Sequence, residues 1–173
     1  MENLYYEFTV PVFTNVLNAL KGILKKGEEY AKANGRTDEE MLALCLAPDM
    51  FPLVKQVQVA CDNAKGASAR LSGGTAPKME DNEKTFEELY ARIDKTVAYI
   101  SSLDAESFKG AADLSIKLPY TAEGMHFTGD GYARFYALPN FLFHVVTAYD
   151  ILRANNVQIG KSDFAGMLPL VKD

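Results

Sequence analysis

The chain has 173 residues and a mass of 19.1 kDa, the size of one ordinary domain with a hydrophobic core. Its 18 lysines and arginines against 23 aspartates and glutamates give a net charge of -5, and a mildly acidic chain without a basic cluster argues against nucleic-acid binding. Because no apolar run approaches the roughly 20 residues that span a bilayer, and no signal-peptide pattern opens the chain, we expect a cytoplasmic protein without a membrane partner.

The first long helix is predicted from Val10 to Ala33. Thr9 is a suitable N-cap, Pro11 lies in the first turn, and Asn34-Gly35 is a stop signal. Its apolar side chains recur with helical spacing and form one stripe: Phe13, Val16, Leu17, Leu20, Ile23 and Leu24. This stripe predicts an amphipathic helix that packs against a core.

The second long helix is predicted over residues 52 to 71. Before it, Thr37 and Glu40 form a capping-box pattern that predicts a short helix ending at Leu46. Apolar residues spaced by four and three form a seam, Leu53, Val57, Ala60, Ala64, Ala67 and Leu71. The small residues on this seam let a neighbouring helix approach closely. On one flank of the seam, polar residues repeat every seven positions: Gln56, Asn63 and Arg70. Asp62 and Lys65 are predicted to form a solvated surface pair.

The two cysteines, Cys45 and Cys61, do not have the Cys-x-x-Cys spacing of redox or zinc motifs. Thiols of cytoplasmic proteins stay reduced, and free cysteine is among the most buried residue types. We therefore expect two buried thiols, with a Cys45–Cys61 disulfide as the less favoured alternative.

The remaining elements complete an all-α four-helix bundle. A third long helix is predicted over residues 82 to 102, and alternating apolar residues at 114 to 118 predict a short strand that pairs with residues 125 to 128. A fourth helix is predicted over residues 131 to 155, where Pro139 should kink it or mark its true first turn. Four amphipathic helices with one two-stranded insertion before the last are typical of a bundle.

The fourth helix carries an unusual polar row. Tyr136, Asn140, His144 and Thr147 follow one another at helical steps, and no lysine or glutamate lies among them as on a solvated face. The row therefore indicates buried polar contacts or the wall of a pocket, with Gln56 of the second helix as the opposite wall. The alternative is a core histidine held by a backbone or tyrosine partner, because a buried polar group without a partner is costly.

Other chemistry finds little support in the sequence. A metal site needs several ligands at one place, yet Ala148 follows His144 at the next turn and His126 lies in the predicted strand region. Residues 155 to 162 resemble a phosphate-binding loop, but they lack its first glycine and follow a helix. A Gly-x-Ser-x-Gly elbow is also missing. We therefore expect neither a metal nor another cofactor.

Several long motifs carry a family resemblance. They are Leu46-Ala47-Pro48-Asp49-Met50-Phe51-Pro52-Leu53, Leu138-Pro139-Asn140-Phe141, Phe143-His144, Thr147-Ala148-Tyr149 and Ile151-Leu152-Arg153. They resemble an uncharacterised bacterial family of domains of unknown function, itself similar to the DinB/YfiT-like superfamily of four-helix bundles. The match covers nearly the whole chain and implies a single DinB-like helical domain over residues 1–173.

The resemblance also implies a lost metal site. Many members of the superfamily bind a divalent metal through three histidines, and some branches are thiol transferases or use low-molecular-weight thiols. The triad usually takes a histidine pair from the last helix and one histidine from the second. This chain keeps only His144 of that set, so the resemblance implies a cavity without the metal, walled by His144, Asn140 and Gln56.

Three functions remain open. The first is a metal-independent bundle that binds a small molecule, catalytic or not, with His144 as proton acceptor or hydrogen-bond anchor; the residues expected to orient the ligand are Asn140, Thr147, Tyr149 and Gln56. The second is a structural or interaction protein, a homodimer whose alanine-rich or aromatic faces pack against a twin. The third is a divergent metal-dependent enzyme that uses His144 and carboxylates. A homodimer is the expected assembly.

Overall fold

The computed structural model describes residues 3–171 and consists mainly of helices. The helices are α1 (Leu4–Glu7), α2 (Val10–Ala33), α3 (Asp38–Leu42), α4 (Leu53–Leu71), α5 (Phe86–Ser101), α6 (Gly129–Tyr132), α7 (Leu138–Ala154) and α8 (Lys161–Ala165). Two short 3-10 turns, Ala105–Phe108 and Ala111–Asp113, precede the antiparallel strands β1 (Ser115–Ile116) and β2 (Phe127–Thr128). The predicted four-helix bundle, with its two-stranded insertion before the last helix, is confirmed.

The core lies between the four long helices α2, α4, α5 and α7. The predicted stripes of α2 and α4 are buried, and the rings of Phe13 and Phe141 meet edge to face with their centroids 4.7 Å apart. α4 packs against both α5 and α7, so its small seam residues allow two close helix neighbours. Within residues 3–171, no helix is long and apolar enough to cross a membrane.

Side-chain caps explain where the shorter helices begin. Thr37 and Glu40 form the predicted capping box at the start of α3, which ends at Leu42, four residues earlier than predicted. A second capping box between Thr85 and Glu88 starts α5 at Phe86, later than the predicted residue 82. Thr9 occupies the predicted N-cap position of α2, but its hydroxyl donates to the Tyr5 carbonyl and forms no capping hydrogen bond.

The two cysteines have different surroundings. Both are free thiols; Cys61 is buried as predicted, whereas Cys45 is exposed and the prediction for it is wrong. The reason is that α3 ends before Cys45, which then lies in the connection to α4 rather than on a core-facing helix. Burial raises the pKa of the Cys61 thiol to about 12, so this thiol stays protonated and is a weak nucleophile.

Pro139 shapes the last helix as the sequence suggested. α6 runs into a π-helical segment, Ala133–Ala137, and α7 begins directly after it with Pro139 in its first turn. Proline lacks an amide hydrogen, and its ring collides with the carbonyl four residues earlier in a regular α-helix. The wider π turn relieves this conflict, so Pro139 marks the true first turn of α7.

A buried ionic network holds the connection between α4 and α5 in place. The side chain of Arg92 in α5 is only 1 % exposed and binds three carboxylates, those of Asp62, Asp81 and Glu83, each at 2.9 Å. It also donates to the carbonyl of Glu80 over 3.0 Å. Asp62 and Lys65 form the predicted ion pair, but Lys65 is buried rather than solvated. Asp62 also forms an ion pair with Arg92.

Candidate functional site

Gln56 and His144 form a buried hydrogen bond between α4 and α7. Their side chains lie 2.7 Å apart, from Nδ1 of His144 to Oε1 of Gln56. The Nε2 amide of Gln56 donates to the carbonyl of Phe51 over 3.0 Å. Because that carbonyl can only accept, Oε1 of Gln56 faces the imidazole and must accept from a protonated Nδ1. In the neutral ring, Nε2 of His144 is therefore the acceptor.

The burial of His144 favours the neutral ring. The residue is only 8 % exposed, and this desolvation lowers the pKa of the imidazole below its ordinary value. The imidazole is therefore uncharged at neutral pH and keeps a lone pair on Nε2. Within residues 3–171, no protein group forms a hydrogen bond with this nitrogen.

A small pocket opens beside the imidazole. It has a volume of about 210 Å³ and is lined by Asp49, Met50, Phe51, Gln56, Phe143 and His144. Phe51 and Phe143 are exposed aromatic residues, so the wall is mainly apolar, and Asp49 supplies a carboxylate. Among residues 3–171, no lysine or arginine lines the pocket. Its chemistry suits a neutral or positively charged group better than an anion.

The five predicted ligand-binding residues do not all reach this pocket. Gln56 and His144 line it, whereas Asn140, Thr147 and Tyr149 do not. The Thr147 hydroxyl donates to the Phe143 carbonyl one turn back over 2.7 Å, and Tyr149 packs against the core. Helical spacing correctly placed the row along one side of α7, but a single pocket spans only about one turn of that side.

Asn140 belongs to a second polar cluster farther along α4. Its amide donates to Oδ1 of Asn63 over 3.1 Å and to the Tyr136 hydroxyl over 3.3 Å. Arg70 donates to the hydroxyl of Tyr132 over 3.2 Å. Three residues of α4 spaced by seven positions thus each form a hydrogen bond with α6 or α7: Gln56, Asn63 and Arg70. Within the predicted row, Asn140 and His144 therefore contact α4, and the pocket lies beside His144.

The pocket residues Asp49, Met50, Phe51 and Phe143 were not predicted as site residues. A signal for the first three was present, since Gln56 lies in the first turn of α4 and the preceding residues must pass close to it. The predicted polar row does not include Phe143, because its ring has no hydrogen-bonding group. Phe143 is exposed, with its ring edge against the imidazole at 5.3 Å between centroids.

These residues do not fit the three-histidine metal site of the superfamily that the chain resembles. Ala148, fully buried, occupies the position one turn after His144. Among residues 3–171, Asp49 is the one carboxylate that lines the pocket, and Nδ1 of His144 is bonded to Gln56. In the part of the chain that the structure describes, no three side chains of His, Cys, Asp or Glu are grouped to hold a metal ion.

The pH dependence of stability follows from the pKa of His144. Because its folded pKa lies below the unfolded value, the unfolded chain takes up a proton first on acidification. Unfolding free energy should fall as the pH drops below about 6.5, with a slope of at most about 1.4 kcal/mol per pH unit. Urea unfolding between neutral pH and the onset of carboxylate protonation checks this. The slope should disappear in His144→Leu and persist in the matched variant of exposed His126, His126→Leu.

Comparison with known proteins supports both the fold and the family. Residues 5–165 match a family described as a domain of unknown function, DUF1993. Among solved structures, the chain is similar to a DinB family member protein from Shewanella denitrificans, with 38 % identity and a TM-score of 0.95, covering 99 % of this chain and 97 % of that one. No curated protein matches the chain. The chain therefore belongs to the DUF1993 family and has the fold of a DinB family member.

Proposed function

We propose that this protein binds a small molecule in the pocket beside His144. The observation that carries the proposal is the free Nε2 acceptor of a neutral, buried imidazole whose other nitrogen is held by Gln56. Because His144 lines the pocket, a bound ligand can reach Nε2 and donate a hydrogen bond to it. Gln56 fixes the ring orientation, so the acceptor is oriented before the ligand arrives.

The pocket restricts the ligand to a small molecule with a hydrogen-bond donor. Its volume of about 210 Å³ lies below the roughly 300–1,000 Å³ typical of drug-sized sites. The ligand therefore has an alcohol or amine group for Nε2 of His144 and a short apolar part for Phe51 and Phe143. Asp49 at the same pocket favours an amine, because its carboxylate attracts a positive charge.

The same geometry gives His144 a chemical role. A neutral imidazole with a free Nε2 can accept a proton from a bound hydroxyl, and Gln56 can stabilise the resulting imidazolium by accepting from Nδ1. The carboxylate of Asp49 lines the same pocket. The proposal is therefore a binding site in which His144 serves as hydrogen-bond anchor and proton acceptor.

Ligand binding should depend on His144. A library of small amines and alcohols, screened by ligand-observed NMR, should yield binders that His144→Leu weakens by roughly 10- to 100-fold, the effect of losing one buried hydrogen bond. His126→Leu removes the exposed histidine and should leave binding unchanged. Equal affinity in His144→Leu would show that the imidazole is not the anchor. A library without binders would contradict the proposed ligand class.

If the protein has only a structural role, the hydrogen bond between Gln56 and His144 serves only to hold α4 against α7. In either case Gln56→Leu should cost about 1–3 kcal/mol of unfolding free energy, because it leaves the buried Nδ1 donor without a partner. The double variant with His144→Leu should recover part of that loss, since both polar groups are then gone. Chemical denaturation of the three variants measures the coupling. Additive losses would contradict a hydrogen bond between the pair.

A further inference from the structure

The helical segment formed by the π turn Ala133–Ala137 and α7 exposes an apolar stripe on the side away from the core. Its members are Phe135, Pro139, Phe143 and Val146, which we call the outer stripe. Phe135 is 76 % exposed, Phe143 is 55 % exposed and Val146 is 40 % exposed. Pro139, Phe143 and Val146 recur at steps of four and three within α7 and share one side of it, and Phe135 lies one turn earlier in the π segment. Since the other side of α7 is buried in the core, this helix is apolar on both sides, which is typical of a helix covered on both.

Charged residues flank the outer stripe in a complementary order. Asp130 and Arg134 lie at its N-terminal end, while Asp150 and Arg153 continue its spacing at the other end. Arg134 and Asp150 are equally distant from Leu142 along the chain, and Asp130 and Arg153 are nearly so. Two antiparallel copies crossing near Leu142 would therefore place opposite charges beside each other at both ends. Arg134 and Asp130 pair with each other at 3.3 Å within the chain and would exchange this exposed contact for charges of the partner, whereas Asp150 and Arg153 form no ion pair within residues 3–171.

We propose that a second copy of this chain covers the outer stripe, with the two α7 helices antiparallel about a twofold axis near Leu142. Such an isologous contact uses the same patch on both subunits and closes on itself. Arg134 then pairs with Asp150 of the partner subunit, and Arg153 pairs with Asp130 of the partner subunit. The apolar residues between these pairs form the centre of the interface, and the charges form its rim.

The dimer also completes the pocket. Phe143 belongs both to the outer stripe and to the wall of the His144 pocket, and it lies beside the proposed axis. A partner helix on the stripe therefore covers the open side of the pocket and shields the imidazole from water. This second part rests on the proposed function, whereas the dimer itself depends only on the stripe and its flanking charges.

The mass in solution tests the dimer. Light scattering coupled to size exclusion should give twice the chain mass of 19.1 kDa at micromolar concentration. Val146→Glu and Phe135→Glu should each give a single chain mass with unchanged circular dichroism, because a charge in the stripe opposes burial. Leu170→Glu adds the same charge at an exposed apolar residue outside the stripe and should remain dimeric. A monomeric wild-type protein, or dimeric stripe variants, would overturn the proposal.

Charge reversal tests the antiparallel arrangement. Arg134→Asp and Asp150→Arg should each weaken the dimer by about tenfold or more, because each places like charges together at both ends. The double variant restores opposite charges across the axis and should regain most of the affinity. Sedimentation at several concentrations gives the dissociation constants. A double variant no tighter than either single variant would overturn the arrangement.

Chemical modification tests the covering of the pocket separately from ligand binding. Diethyl pyrocarbonate acylates accessible neutral imidazoles, and mass spectrometry separates the His144 peptide from that of exposed His126. His144 should react several-fold faster in monomeric Val146→Glu than in the wild-type dimer, while His126 reacts equally in both. Equal rates at His144 would overturn the covering. Failure of the ligand screen would leave this result and the measured mass unaffected.

Discussion

Replacing Arg92 with methionine is expected to lower the free energy of unfolding by about 3 kcal/mol. The variant removes one cation from contact with three carboxylates, of which Glu83 has a side chain only 9 % exposed. A buried carboxylate without its partner retains its desolvation cost but loses the compensating attraction. Asp62 and Asp81 are better solvated and recover part of the loss from water, so the lower end of the usual 3–5 kcal/mol range applies.

Urea unfolding measures this loss, and hydrogen exchange locates it. The amides of residues 72 to 85 should exchange faster in Arg92→Met, because Arg92 holds that connection through Asp81, Glu83 and the Glu80 carbonyl. Lys95→Met is the matched control, since Lys95 is exposed and lies one turn farther along α5. It should change stability by less than about 0.5 kcal/mol. Equal effects of the two variants would show that the network contributes nothing particular.

Replacing Gly129 with alanine is expected to cost at least about 2 kcal/mol. A Cβ atom built on Gly129 lies 1.6 Å from the carbonyl oxygen of Ala111 and 2.8 Å from its carbon. Both atoms belong to the backbone, so no side-chain rotation relieves the overlap. The contact joins the start of α6 to the 3-10 turn Ala111–Asp113, and the variant must separate them.

Gly22→Ala provides the opposite expectation at a glycine with open surroundings. Gly22 is exposed within α2, and nothing lies within 4 Å of a Cβ built on it. Alanine should therefore stabilise the protein by about 0.5–1 kcal/mol through its higher helix propensity. Thermal and urea unfolding of both variants check the contrast. Loss of stability at Gly22, or none at Gly129, would contradict the close approach as the cause.

The helices could be predicted because each shows its buried face in its own spacing. The stripe of α2 from Phe13 to Leu24 and the seam of α4 from Leu53 to Leu71 need no information from distant residues. The Arg92 network could not be predicted in this way, since its acids come from α4 and from the connection before α5. The spacing of residues along α5 does not indicate which distant acids contact Arg92.

The candidate site was predictable only in part for a related reason. Spacing placed Asn140, His144 and Thr147 on one side of α7, and the packing of α4 then decided which neighbour each one meets. Thr147 bonds to its own helix, and Asn140 meets Asn63. The aromatic wall depends on the connection before α4, whose path around Gln56 is set by the Phe51 carbonyl. Such tertiary contacts override a one-helix pattern.

The π segment Ala133–Ala137 amounts to one additional residue wound into an otherwise regular helix. Each α-helical residue turns the chain by about 100°, so this extra residue changes the angular phase of everything before it relative to everything after it. The pairing of Tyr132 with Arg70 and that of His144 with Gln56 therefore lie on opposite sides of a phase change. Deleting one residue from the segment would rotate Tyr132 away from Arg70 while leaving His144 facing Gln56. The two ends of the helix can thus be altered independently.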